Sequence, residues 1–199
     1  MTDAVQTNLL TADEFWDLYG GKEEFADGFR LHYELINGRV VETLLPGFDH
    51  MIIQGRLTAS LVTFVDMHGL GRAGPEAHSK LSQYSTLVPD IVFIRAEKLD
   101  QITDSDKPVP FAPDLVVEII SPSNSNDEMQ EKLDLYFAAG TQTVWLVYPK
   151  RKEVVAYHAN GTWQALNGNA VLTDDLLPGL SIALEALFAP TKQVSGGPS

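Results

Sequence analysis

Glu118 stands in the apolar run LVVEII, residues 115–120, among Val116, Val117, Ile119 and Ile120. A carboxylate in such surroundings is costly unless something compensates its charge. A second acid, Asp90, follows Pro89 at the head of a similar run, VPDIVFI, residues 88–94. If the two runs are antiparallel neighbours, the start of one lies beside the end of the other. Asp90 and Glu118 then meet at one edge of a sheet. Asp114 shares the face of Glu118 but lies roughly 13 Å away at strand rise, so it reads as a strand-terminating residue. Two carboxylates at one spot repel, and a divalent cation removes that conflict. Oxygen ligands suit Mg²⁺ (or Mn²⁺), which keeps several waters and takes one or two carboxylates. The backbone carbonyl of Ile119 offers a further oxygen. The simpler alternative makes Asp90 a turn residue and leaves Glu118 facing solvent; spacing alone does not choose between them.

Lys132 is the first basic residue after Glu118 in the chain. It follows Met129 by three residues and precedes Tyr136 by four, so it falls inside the apolar stripe Met129, Leu133, Tyr136 of a helix. It either snorkels to water or reaches the carboxylate end of the sheet, where it would steady developing negative charge. Glu34, in YELING, has His32 and Ile36 on its strand face, and exposure is its simpler reading. His50 and Gln54 are one turn apart and share a helix face; His50 is also placed to cap that helix. His32, His68, His78 and His158 have no zinc-ligand spacing, and no HExxH, Walker loop, G-x-S-x-G or GxGxxG occurs.

The elements that must position these residues follow from periodicity and turn chemistry. TADE, residues 11–14, is a capping box for a short helix through Tyr19. LHYELINGRVVETL predicts a hairpin turning at Asn37-Gly38. Residues 49–68 are helical in apolar spacing, with Gly69 and Gly71 as the stop. Strands are expected over 77–86, 90–94 and 115–120, with a polar loop over 95–113. Pro122 stops the third strand, and Ser125 with Glu128 caps a helix running to Ala139, closed by Gly140. Residues 143–147 form the next strand, 153–157 and 161–165 a terminal hairpin, and 180–188 a last helix. The central order is helix, three strands, helix, strand, which is an α/β layer.

The chain has 199 residues, 44% of them hydrophobic, which suits one domain over 1–190 with a disordered tail over 191–199. Absence of cysteine excludes disulfides and thiolate metal sites and fits a cytoplasmic location. No signal peptide is read, and no apolar run approaches the roughly 20 residues of a membrane helix. Net charge is −13, from 14 basic and 27 acidic side chains. That opposes phosphate-backbone binding over the whole surface, though a locally basic cleft or a metal ion would still permit it.

YELINGRVVE, HMIIQGRL, VPDIVFI, PDLVVEIISPSNS, EKLDLYFAAG and VWLVYP occur in this order over about residues 30–150. Together they resemble the Uma-two family of the PD-(D/E)XK nuclease superfamily. The resemblance implies a restriction-endonuclease-like αβββαβ core, a mixed sheet flanked by helices, with extra N-terminal and C-terminal hairpins. It implies that Asp90 and Glu118 bind Mg²⁺ and that a lysine assists phosphodiester hydrolysis, most simply in DNA. Ile120 stands where the superfamily's lysine would be, and Lys132 matches the position to which the lysine has moved in this family. Glu34 and His50 match further recurring positions and are auxiliary candidates. Two departures stand out. SNSNDEMQE is acidic where the family has basic residues, which argues against strong DNA affinity, and Tyr148 replaces an aspartate. Two other readings are a nuclease-like fold used for binding or regulation, and a hydrolase of a small phosphoester. Basic residues flanking the metal would mark a DNA enzyme; Arg56, Arg72, Lys80 and Arg95 are the candidates. A homodimer would pair two sites on a duplex.

Overall fold

The computed structural model of the chain describes residues 9–20, 24–26, 29–43, 47–121 and 124–190. Helix α1, Ala12–Tyr19, opens on the expected capping box: the Thr11 hydroxyl accepts from the Glu14 backbone N–H, and the Glu14 carboxylate accepts from the Thr11 N–H at 2.8 Å. Strand β1, Glu24–Ala26, pairs with β2, Phe29–Ile36, which turns back into β3, Arg39–Thr43. Asn37 and Gly38 carry the turn with φ of 48° and 79°, the mirror-image geometry an Asn-Gly pair favours.

Helix α2, Phe48–His68, buries Ile53, Leu57, Leu61 and Val65 as one stripe and ends at Gly69 with left-handed φ of 64°. Gly71 does not belong to that stop. It opens strand β4, Gly71–Pro75, an element that the sequence pattern does not predict. The expected strand over 77–86 is instead a hairpin, β5, Ser79–Ser82, and β6, Ser85–Leu87, with a register shift between Lys80 and Ser82. Strand β7, Ile91–Arg95, leads into a 3-10 turn, Ala96–Gln101, inside the segment read as loop, and then to β8, Leu115–Ile119.

Helix α3, Asn126–Ala138, is capped by the Ser125 hydroxyl on the Glu128 N–H, while the Glu128 carboxylate accepts from Asn124. Gly140, at φ of 104°, follows it. Strand β9, Thr143–Tyr148, a short turn, Pro149–Arg151, and the hairpin β10, Glu153–His158, and β11, Trp163–Asn167, come next. The helix expected over 180–188 shrinks to α4, Leu184–Leu187, because Ile182–Ala183 forms strand β13 against β12, Val171–Leu172. Pro122 and the tail 191–199 lie outside the described residues.

The central sheet runs β11-β10-β9-β8-β7-β4; β8 and β9 are parallel, joined through α3, and the other neighbours are antiparallel. The αβββαβ order therefore holds, but its first strand is β4. The 77–86 hairpin joins β1, β2 and β3 in a second sheet, and the C-terminal hairpin extends the central sheet. Alternation along each strand separates two cores. Ile91, Phe93, Leu115, Val117, Ile119, Trp145 and Val147 pack with α2 and the C-terminal segment. Val116, Val144 and Leu146 pack with Leu133 and Tyr136 of α3 and with Ile36 and Leu87 of the second sheet. A fully buried side chain of this kind contributes roughly 1.5–3 kcal/mol, so the strand alternation is strongly enforced.

Candidate active site

Register brings the two acids together. Ile91 pairs with Val117, so Asp90, one residue before β7, stands across from Glu118 near the end of β8. The Asp90 Oδ2 accepts from the Ile119 backbone N–H at 2.6 Å, which pins the aspartate to the sheet end. Asp114 lies at the opposite end, accepting from the Arg95 N–H and paired with Lys98 Nζ at 2.9 Å.

Each face of the sheet sends a helix to this end. From α2, His50 Nε2 meets Asp90 Oδ1 at 3.0 Å and Gln54 Nε2 donates to the Asp90 carbonyl at 3.0 Å. His50 is the third residue of the helix and Gly47 is its N-cap, so His50 is a partner of Asp90 rather than a cap. From α3, Lys132 lies 2.8 Å from Glu34 Oε2 and 3.5 Å from Glu118 Oε1. Its side chain is only 7% exposed, which rules out snorkelling. The Tyr136 hydroxyl, one turn along, donates to Glu118 Oε1 at 2.5 Å.

Glu34 was read most simply as exposed. It is 1% exposed, because β2 pairs with β6 and carries the residue under α3. Its Oε1 accepts from the Val88 N–H at 2.8 Å, just upstream of Pro89-Asp90. The second sheet thus ties the lysine to the segment that presents the aspartate.

Burial raises the Glu118 pKa to about 7; the Lys132 charge works against this, and the charges of Asp90 and Glu34 add to it. Burial alone would lower the Lys132 pKa, but Glu118 and Glu34 more than reverse that, so the ammonium is held above its ordinary range. Burial also pushes the Tyr136 phenol up, with Glu118 adding to it, and keeps it a hydrogen-bond donor.

Sequence reasoning named Asp90, Glu118, Lys132, Glu34, His50 and Ile119, and the fold gathers all six. It did not single out Tyr136, which reads as one more apolar stripe member, or Glu76, whose carboxylate accepts from Gln54 at 3.3 Å. Gln54 was visible only as a neighbour of His50. The signal for Tyr136 was its spacing of one turn from Lys132.

The donor set suits a hard divalent cation. The Asp90 charge disfavours the ionised form of Glu118, and Glu34 adds a third carboxylate against one ammonium. Among the described residues no three His, Asp or Glu side chains form a closed metal cage. Two carboxylates and a backbone carbonyl are nonetheless the sparse protein set that Mg²⁺ takes, since it keeps several of its waters.

A mixed sheet in αβββαβ order, with a lysine and carboxylates converging at one end, is restriction-endonuclease-like architecture. The Uma2 family model, described as "Putative restriction endonuclease", matches residues 13–185, and the chain belongs to that family. Among solved structures, a "putative nuclease belonging to DUF820" from Anabaena variabilis matches with a TM-score of 0.75 and 22% identity. That match covers 90% of this chain and 97% of the other, and it is a likeness of fold. No curated protein matches the chain.

Proposed function

We propose that the protein is a metal-dependent endonuclease that hydrolyses phosphodiester bonds in DNA. The observation that carries this reading is the buried ammonium of Lys132 set between Glu34 and Glu118 at the same sheet end as Asp90. Asp90, Glu118 and the Ile119 carbonyl would hold Mg²⁺ or Mn²⁺. When bound, such an ion polarises the phosphate and lowers the pKa of a bound water. His50 and the Ile119 N–H fix the Asp90 carboxylate, and Tyr136 fixes Glu118, so both acids are preorganised. Lys132, kept charged by its two carboxylates, steadies negative charge or orients the attacking water. Glu34 holds Lys132 in place. Among the described residues no helix is long and apolar enough to cross a membrane, and a DNA enzyme of this kind would work in the cytoplasm.

The net charge of −13 favours a second reading, a nuclease-like fold used for binding without catalysis. One assay separates them: cleavage of plasmid and single-stranded DNA at low salt, with Mg²⁺ or Mn²⁺, beside Asp90→Ala and Lys132→Ala. The nuclease reading expects metal-dependent cleavage by the native protein and a loss of at least about 100-fold in each variant. No cleavage with metal still bound would point to another phosphoester or a missing partner, and wild-type protein that does not bind Mn²⁺ would favour the second reading.

A further inference from the structure

The basic residues expected to flank the metal are engaged elsewhere. Arg56 donates to the carbonyls of Leu187 and Ala189, Arg72 pairs with Asp66, and Lys80 pairs with Asp13. Arg95 lies at the opposite end of β7 beside Asp114 and Glu97. Arg39 pairs with Glu131, and Lys98 with Asp114. Among the residues whose side chains are described, the basic ones with neither an ion pair nor a hydrogen bond to a carbonyl are Lys107, Lys150 and Lys152. Lys107 lies in the loop joining the far ends of β7 and β8.

Lys150 and Lys152 are at the site's end of the sheet. Strand β9 is parallel to β8, with Ile119 beside Val147, and the Ile120 N–H donates to the Val147 carbonyl at 2.8 Å. Tyr148 therefore reaches the level of Ile120, and the sequence Pro149-Lys150-Arg151-Lys152 turns over the sheet end one strand away from Glu118. Adjacent strands are about 4.8 Å apart, so β9, which leads into the turn, runs one strand spacing from β8 with Glu118 and two from β7, which Asp90 precedes. The turn's three basic side chains are exposed. Arg151 is steadied by the Tyr148 ring, 3.9 Å from its centroid, and by Glu153 at 3.4 Å.

We propose that the Lys150-Arg151-Lys152 turn is the phosphate-backbone contact that holds a DNA strand across the carboxylate end of the sheet. This rests on the nuclease reading and adds to it the surface by which an acidic protein retains a polyanion. Lys150 and Lys152 make direct phosphate contacts, and Arg151 shapes the turn. Lys152 has a left-handed φ of 50°, which asparagine tolerates well.

The test uses the full chain and a fluorescent DNA duplex, read by anisotropy across salt concentrations and by cleavage kinetics. Lys150→Gln with Lys152→Asn is compared with the native protein, and Lys107→Gln serves as an exposed control away from the turn. Losing two phosphate contacts lowers the slope of log affinity against log salt by about 1.8 and weakens binding by about 10- to 60-fold near 0.1 M salt. KM rises while kcat is retained, and Lys107→Gln changes neither. Native cleavage with an unchanged slope and KM in the double variant overturns this inference and leaves the nuclease reading standing. A native protein that neither binds nor cuts DNA overturns both.

Discussion

Glu118 accepts from both Tyr136 and Lys132 on Oε1, and no described donor reaches Oε2. The carboxylate is thus anchored by one oxygen and open at the other. With its pKa raised from 4.5 to about 7, the folded chain binds more proton at this position than the unfolded chain between those values. Stability contributed by Glu118 is therefore full below pH 4.5 and falls as pH rises toward 7, by at most about 3 kcal/mol. Metal binding at the proposed site would run the other way, because protons compete for the same oxygens. Urea unfolding from pH 5 to 8 should show a downward contribution with rising pH in the native protein that Glu118→Gln removes. Added Mg²⁺ should stabilise the native protein increasingly toward pH 8 and leave Glu118→Gln unmoved. A difference between the two proteins that is flat with pH would mean that Glu118 is ionised throughout.

Strand β4 supports β7, and β7 sets the height of Asp90, so the site depends on a close backbone approach at Gly71. A β-carbon there would sit 2.0 Å from the Ile94 carbonyl oxygen, and φ is 151°. Gly71→Ala should cost about 2–3 kcal/mol or more, seen as a lower urea midpoint, whereas Gly74→Ala on the same strand meets nothing within 4 Å and should change little. Equal effects of the two would show that the approach is not tight. That same glycine explains why β4 was illegible in the sequence. GRAGP has two glycines, a proline and no β-branched residue, so its strand character comes only from backbone pairing with β7. The segment from 77 to 86 misled for a related reason: its polar alternation belongs to a short bulged hairpin of the second sheet. By contrast α2, α3, β8 and β9 carried clear periods and caps. The Asp90–Glu118 meeting needed only strand direction, which the Pro-Asp head and the Glu118 tail implied. Glu34 and Tyr136 depend on how the second sheet and α3 meet over the central sheet, which no local pattern encodes.

At the scale of the whole molecule, an excess of acidic side chains is set against the proposed polyanionic substrate. Most described cations are bound to carboxylates or carbonyls, so few remain to displace counterions from DNA. The three basic residues of the Pro149–Lys152 turn are the largest contribution one copy brings to the site end. Each neutralised phosphate adds about 0.9 to the salt dependence, so the two contacts of one copy on one duplex should give a slope of about −2. Two copies acting together on opposite strands would double the contacts and bring the slope to about −4. Light scattering of the free and DNA-bound protein alongside the salt titration separates these cases, because mass and slope must change together. A slope near −2 with a two-copy complex would mean that only one copy's turn touches DNA. A slope much steeper than −5 would place phosphate contacts outside the turn altogether. In either case a divalent cation at the proposed site would add a further link between this acidic surface and the phosphate it would cut.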